Sequence, residues 1–239
     1  GMTGMNTDLE NLGYAVRRLP PYTVIYKQSH PHLKELVSDH AVLGRQTSIT
    51  GRSVIRIIEP DLVVRTLTHG GMLRRLTGPR FLGIGRSLRE LRVSAYLISH
   101  NILTPEIMAV RYMKKGIFSY IDVVSRLVPG SIDLLTYLEK PSGDGLALLR
   151  QTGRLVCEVH RTGVYHTDLH VKNILLGKDK SPWIIDLDNA YRFSNLPALL
   201  KRRNISRFLH SLKKWEGRKR ILLPDGWQEA FLDGYTSNG

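Results

Sequence analysis

His166-Thr167-Asp168-Leu169-His170-Val171-Lys172-Asn173, followed by Asp186-Leu187-Asp188, gathers the residue types that a phosphoryl transfer requires. Such a reaction needs a carboxylate to orient an acceptor hydroxyl and take its proton, and oxygen ligands for the Mg²⁺ that neutralises the phosphates. Asp168 suits the first task. Asn173 and Asp186 suit the second, because they bracket two short apolar runs, Ile174-Leu175-Leu176 and Trp183-Ile184-Ile185, that read as a hairpin around Gly177-Lys178-Asp179-Lys180-Ser181-Pro182. An amide oxygen and a carboxylate at the two ends of one hairpin can converge on a single ion. The same residues also have a plainer use, with Asp168 and Asn173 capping a turn and Asp186 ending a strand.

The elements that must hold these residues are legible in outline. Ser53-Val54-Ile55-Arg56-Ile57-Ile58 and Leu62-Val63-Val64-Arg65-Thr66-Leu67, parted by Glu59-Pro60-Asp61, predict a hairpin. Leu88, Leu91, Ala95 and Ile98 recur at helical spacing and predict a helix from Ser87 to His100, with Thr104-Pro105 leading into extended chain. A second strand pair is expected at Ala109–Met113 and Tyr120–Leu127. Beyond Pro129-Gly130 the pattern becomes helical, with a short helix over Ile132–Leu138 and a longer one over Leu146–Arg161 stopped by Gly163. From Leu196 onward the chain reads as helical and basic, with Trp227, Ala230 and Phe231 available for packing.

Composition narrows the function classes. The 239 residues suit one compact domain or two small lobes, and 42% hydrophobic with 23% charged residues is an ordinary globular balance. No apolar run is long enough for a membrane span and no secretory leader is visible, so a cytoplasmic location is expected. Cys157 stands alone in Leu155-Val156-Cys157-Glu158-Val159 and reads as a small buried hydrophobe. An excess of 35 Lys and Arg over 21 Asp and Glu gives a formal charge of +14, which draws the protein to polyanions. Without a zinc-ligand pattern or an aromatic RNA-binding signature, nucleic acid is not expected as a partner; anionic lipid or a phosphorylated substrate is.

In order and spacing, Asp168, Asn173 and Asp186 resemble the catalytic-loop Asp, catalytic-loop Asn and metal-binding Asp of protein kinases. The resemblance implies an α+β, protein-kinase-like, two-lobed fold. Residues 1–128 would form an N-terminal lobe of antiparallel sheet with one helix, and residues 129–239 a reduced, mainly helical C-terminal lobe. It implies ATP and Mg²⁺ as cofactors. Arg65 takes the place of the strand lysine that grips the α- and β-phosphates, with Glu90 as its partner; arginine keeps the charge but changes the geometry, and a plain surface ion pair is the other reading. Glu90 lies about 120° round the helix from the Leu88/Leu91 face, so periodicity does not turn it inward. Gly44 and Gly51, with Ser53-Val54, could cover the phosphates, and the backbone of Arg126 and Val128 could meet an adenine edge at a hinge.

The stretch after Asp186 is too short for the helices with which protein kinases hold a peptide. His170 replaces a lysine and Asp188 a glycine of their pattern. These departures resemble the lipopolysaccharide core kinases that act on 3-deoxy-D-manno-octulosonic acid (Kdo) or heptose. The resemblance covers Val64-Arg65 with Gly70-Gly71-Met72-Leu73, the helix start from Arg86 to Glu90, Val128-Pro129-Gly130, Gly163–Leu169, Asn173–Leu176, Ile185–Asp188, and Asn204-Ile205-Ser206-Arg207 with Ser211-Leu212-Lys213. It implies transfer from ATP to a sugar hydroxyl, for the Kdo kinases the 4-hydroxyl of Kdo on lipid A. The setting would be the cytoplasmic face of the inner membrane of a Gram-negative bacterium, with the protein peripheral on that anionic surface. Arg74, Arg75, Arg80 and the C-terminal Lys/Arg clusters would attract such a substrate. Two other readings stay open: a kinase-like phosphotransferase with another small acceptor, and a non-catalytic binder of nucleotide or lipid.

Overall fold

The computed structural model describes residues 2–36, 45–50, 53–58, 60–69, 82–115, 118–140 and 142–237. Gly44, Gly51, the 70–73 stretch, Arg74, Arg75 and Arg80 lie outside the described residues. The chain divides into two compact units, Gly1–Ala95 with Glu106–Leu127, and Tyr96–Pro105 with Val128–Gly239.

The first unit is built on an antiparallel sheet. Its elements are α1 (Met2–Asn11), β1 (Tyr14–Leu19), β2 (Tyr22–Lys27), α2 (Leu33–Leu36), β3 (Arg45–Thr50), β4 (Ser53–Ile58), β5 (Leu62–His69), α3 (Leu82–Ser99, whose last residues from Tyr96 count with the second unit), β6 (Ile107–Lys115) and β7 (Phe118–Arg126). Seven strands run in the order β1-β2-β6-β7-β5-β4-β3. The expected hairpin and strand pair are its β4–β5 and β6–β7. Hairpin β1–β2 extends the sheet beyond β6, and the Tyr14 hydroxyl fastens it by donating to Ile107 O at 2.5 Å. Because side chains alternate faces along a strand, the sheet buries two cores. One gathers Tyr22, Val24, Tyr26, Leu62, Val64, Met108 and Val124 with Leu33 of α2, and the other Ile25, Val110, Ile121 and Val123 with Leu9, Tyr14 and Leu88 and Leu91 of α3. Arg65, one residue on from Val64, points to the α3 side.

The second unit carries β8 (Ile132–Asp133), α4 (Leu134–Glu139), α5 (Gly145–Arg161), β9 (Val164–His166), β10 (Ile174–Leu176), β11 (Pro182–Ile184), β12 (Ala190–Arg192), α6 (Ala198–Gly217) and α7 (Trp227–Thr236). The helix expected from Ile132 starts instead at Leu134. Ile132 is taken up as a strand residue opposite Leu176, and the Asp133 carboxylate caps α4 by accepting the Thr136 N–H at 2.9 Å. Helix α5 presents Leu148, Leu149, Thr152, Leu155, Val156 and Val159 to the core. It meets α7 at unusually short range, where a Cβ on Gly153 would lie 2.0 Å from Phe231 O and one on Gly234 1.9 Å from Arg150 O. Phe231 of α7 stacks on Phe208 of α6 with ring centroids 4.9 Å apart. Gly163 ends α5 at φ +85°, and a Cβ there would strike Phe193 O at 2.1 Å, so both backbone conformation and space require glycine. Cys157 is buried as expected, and burial pushes its thiol pKa up. Among the described residues no helix is long and apolar enough to cross a membrane.

Candidate active site

The loop from His166 to Asn173 is pinned at nearly every residue. His166 is fully buried, and burial pulls its imidazole below the usual histidine range, so the ring is neutral. Its Nε2 lies 3.0 Å from the Ile185 carbonyl, which can only accept, and its Nδ1 accepts the Asp168 N–H at 3.2 Å. The tautomer is therefore fixed with the proton on Nε2. Thr167 donates from both N and Oγ1 to Asn189 O, at 3.4 and 2.8 Å.

This bracing leaves the Asp168 backbone held on both sides while its carboxylate stands half-exposed, at 51%. The Asn173 amide Nδ2 donates to Asp168 O at 3.0 Å. That bond commits the amide's NH₂ end to the loop and makes its oxygen the end to be presented. Two cationic or donor groups flank the carboxylate. His170 Nε2 lies 3.5 Å from Oδ2, and Arg207 Nη1 lies 3.5 Å from Oδ1. His170 Nδ1 accepts the Lys172 N–H at 3.2 Å, so in the neutral ring Nε2 carries the proton and faces Asp168.

Asn173 and Asp186 stand at the same end of the β10–β11 hairpin. Ile174 pairs with Ile184, and Ile185 N donates to Asn173 O at 3.0 Å. Asp186 is the next residue, at φ +63° and ψ +53°. A left-handed conformation costs a non-glycine residue about 1–2 kcal/mol, though least for Asp and Asn, and is kept where the surroundings impose it. Here the residue before it is clamped on one side by Asn173 and on the other by His166. An amide oxygen and a carboxylate are the hard donors that Mg²⁺ takes, so the residues present fit that ion.

Helix α6 braces this loop through residues that sequence reasoning did not assign. Asn204 accepts the His166 N–H at 3.3 Å on Oδ1 and donates from Nδ2 to His166 O at 2.7 Å. Ser211 Oγ accepts the Val171 N–H at 3.0 Å while donating to Phe208 O. With Arg207 between them, the contacts recur at 204, 207 and 211, one face of a helix. Asn204 Oδ1 also meets His160 Nε2 at 3.1 Å, and His160 Nδ1 meets the Tyr235 hydroxyl at 2.8 Å. An amide oxygen only accepts, so Nε2 carries the proton and Tyr235 donates to Nδ1. Burial lowers the His160 pKa to about 4, keeping it neutral. The available signal in the sequence was the spacing of Asn204, Phe208 and Ser211 in an otherwise basic helix.

The first unit holds the other expected pair. Arg65 donates from Nη2 to the Glu90 carboxylate, and Glu90 is buried. Ser87, Glu90, Ser94 and Leu97 are all buried and follow helical spacing, so α3 has a second buried face that its apolar residues did not reveal. Ile98, expected in the apolar stripe, is 37% exposed. Arg126 ends β7; its N–H is donated to Glu106 O at 2.9 Å and its guanidinium to Asp61 at 2.8 Å. Val128 is buried, and its carbonyl accepts the Ser131 N–H at 3.2 Å.

The model of the lipopolysaccharide kinase (Kdo/WaaP) family matches residues 43–235. A 3-deoxy-D-manno-octulosonic acid kinase of Vibrio vulnificus (strain YJ016) is 29% identical over 197 residues, covering 80% of this chain and 82% of its own. One of Photobacterium damsela subsp. piscicida is 31% identical over 195 residues, covering 76% and 78%. Another, of Xylella fastidiosa (strain 9a5c), is 30% identical over 166 residues, covering 67% and 65%. The chain belongs to the lipopolysaccharide kinase (Kdo/WaaP) family and, with its protein-kinase-like α+β fold, is an ATP-dependent phosphotransferase acting on a sugar hydroxyl.

Proposed function

We propose that the protein transfers the γ-phosphoryl group of Mg·ATP to the 4-hydroxyl of Kdo in the lipopolysaccharide inner core, on Kdo-lipid A. The observation that carries this reading is the half-exposed Asp168 carboxylate on a loop otherwise fixed from His166 to Asn173. A carboxylate held by its backbone rather than by its own oxygens can accept a proton without the loop losing its anchors. Asp168 orients the acceptor hydroxyl and takes its proton as the oxygen attacks phosphorus. Asn173 Oδ1 and the Asp186 carboxylate would hold the Mg²⁺, which when bound neutralises charge on the phosphates. Arg65, steadied by Glu90, is assigned to the α- and β-phosphates, and Gly51 to the loop over them. The backbone of Arg126 and Val128 is assigned to the adenine edge, through groups other than the Arg126 N–H, which Glu106 already receives.

The Kdo acceptor is supported by the names of the relatives. The basic surface agrees with an anionic lipid-linked substrate. Lys201, Arg202, Arg203, Lys213, Lys214 and Arg218 all lie on or beside α6, and each such charge near an anionic leaflet contributes about 1 kcal/mol. On this reading the protein works peripherally at the cytoplasmic face of the inner membrane.

Transfer of labelled γ-phosphate to Kdo-lipid A and to a heptosylated core lipid tests the proposal. Wild type should label the Kdo acceptor, and Asp168→Asn should lose ~10²–10⁴ of the rate while still binding Mg·ATP. Asp186→Ala should lose the Mg²⁺ dependence of ATP binding. Labelling of the heptose acceptor instead would reassign the substrate, and wild-type turnover by Asp168→Asn would remove Asp168 as the base.

A further inference from the structure

We propose that Arg207 binds a carboxylate of the acceptor, so that α6 selects a sugar acid over a neutral sugar at the site of transfer; this rests on the functional reading above. The inference starts from a contact that the fold does not need. Arg207 Nη1 and Asp168 Oδ1 are 3.5 Å apart, and both side chains are about half-exposed. So long and solvated a pair contributes little to stability. The structural attachments of α6 to the loop are made on either side of it, by Asn204 to His166 and by Ser211 to Val171.

A guanidinium offers five N–H donors in a planar fork. In Arg207 one nitrogen reaches Asp168 at the limit of a hydrogen bond, and the fork is open to a second carboxylate. Three basic side chains of this loop and of the chain at and beyond the end of α6 are engaged elsewhere. Lys172, Arg218 and Arg220 gather over the Trp215 ring, at 4.7, 5.1 and 5.1 Å from its centroid. Among the described residues Arg207 is the Lys or Arg within ion-pair distance of Asp168.

An anion held by Arg207 lies within one guanidinium of the oxygen that takes the proton. The acceptor must then carry its negative charge only a few atoms from the reacting hydroxyl. The carboxylate of a sugar acid meets that requirement, and a neutral heptose does not. The flanking His170 Nε2–H, on the other side of Asp168, leaves the hydroxyl to approach between the two donors.

The test uses Kdo-lipid A and the same acceptor with its carboxyl group reduced to an alcohol, each with wild type, Arg207→Ala and Arg207→Lys. On the native acceptor Arg207→Ala should raise KM ~10–100-fold, the loss expected of one charge-assisted pair, with kcat changed less; Arg207→Lys should recover part. On the reduced acceptor wild type should already show the raised KM, and Arg207→Ala should add less than about threefold. Melting temperatures should match wild type, because Arg207 makes no buried contact. Equal losses on both acceptors would overturn the proposal and leave Arg207 acting through Asp168. If wild type labels a heptose acceptor and not Kdo-lipid A, the functional reading falls and this proposal falls with it.

Discussion

Asn204 holds His166 by both of its backbone polar groups, accepting its N–H at 3.3 Å and donating to its carbonyl at 2.7 Å, from a side chain with no exposed surface. Removing it strands the His166 N–H and the His160 Nε2–H in a buried site and leaves the His166 carbonyl with the Leu169 N–H that it also accepts, at 3.2 Å. Each unsatisfied group costs about 1–3 kcal/mol, partly relieved by water entering the space. Asn204→Ala should therefore destabilise the protein by ~2–3 kcal/mol, which is a fall of roughly 5–10 °C in melting temperature for a chain of this size. Turnover should fall with it at temperatures where the variant is still folded. A wild-type melting curve would mean that the loop stands without α6.

Stability should decline as pH falls from about 6.5 towards about 4. His160 has a folded-state pKa of about 4, against an unfolded value near 6.5, so the unfolded chain binds the extra proton first. The difference corresponds to at most about 3 kcal/mol, fully lost once pH is below both values. His166, also lowered by burial, acts in the same direction. Thermal melts at pH 7.5, 6 and 5 on wild type and His160→Gln check this. The variant should lose a large part of the slope and keep the part due to His166; an unchanged slope would place the titration elsewhere.

Glu90→Ala should weaken nucleotide binding and destabilise the first unit together. The carboxylate is buried beneath the Arg65 guanidinium, and removing one partner of a buried pair costs about 3–5 kcal/mol where no water reaches it. Arg65 is partly exposed, at 21%, so the lower end of that range applies. Binding of Mg·ATP by calorimetry, read beside a melting curve, separates the two effects. Nucleotide affinity equal to wild type would leave Arg65 and Glu90 as a structural pair.

Two glycine substitutions should have opposite signs. Gly85, inside α3, has nothing within 4 Å of where a Cβ would go, and Gly85→Ala should stabilise by ~0.5–1 kcal/mol through helix propensity. The same gain is available at Gly153, but there the new methyl meets Phe231 O at 2.0 Å and must push two backbones apart. Overpacking of about 1–3 kcal/mol or more outweighs it, so Gly153→Ala should destabilise. Denaturant unfolding of both variants measures the difference directly.

The residues proposed to do chemistry were the most legible part of the chain. Asp168, Asn173 and Asp186 are constrained in type by the proposed reaction and in spacing by one hairpin, and that hairpin forms, with its second strand at Pro182–Ile184 where Trp183–Ile185 was expected. The burial of Glu90 was not legible. Ser87 and Ser94 share its buried stripe, and a polar stripe leaves no mark in an apolar periodicity. Asn204 and Ser211 stand in stretches that carry the family resemblance, but their bracing role was hidden for a related reason, since polar residues on a basic helix read as solvated unless the partner backbone is known. Hairpin β1–β2 escaped because its first strand, Tyr14–Leu19, carries two adjacent arginines at exposed positions.

The attachments that order the catalytic loop reach far along the chain. His166 waits for Asn204 across 38 residues, Val171 for Ser211 across 40, and His160 for Tyr235 across 75. Closing such separations costs entropy before the contacts return it, so they belong to the late part of folding. During synthesis, the loop emerges from the ribosome long before the helix that carries Tyr235. A nascent chain halted after α6 would contain every proposed catalytic and metal-binding residue and still lack Tyr235, the far end of the buried network behind them. The last bond of that network waits for the arrival of α7, whose two-glycine contact with α5 sets how closely Tyr235 can approach His160.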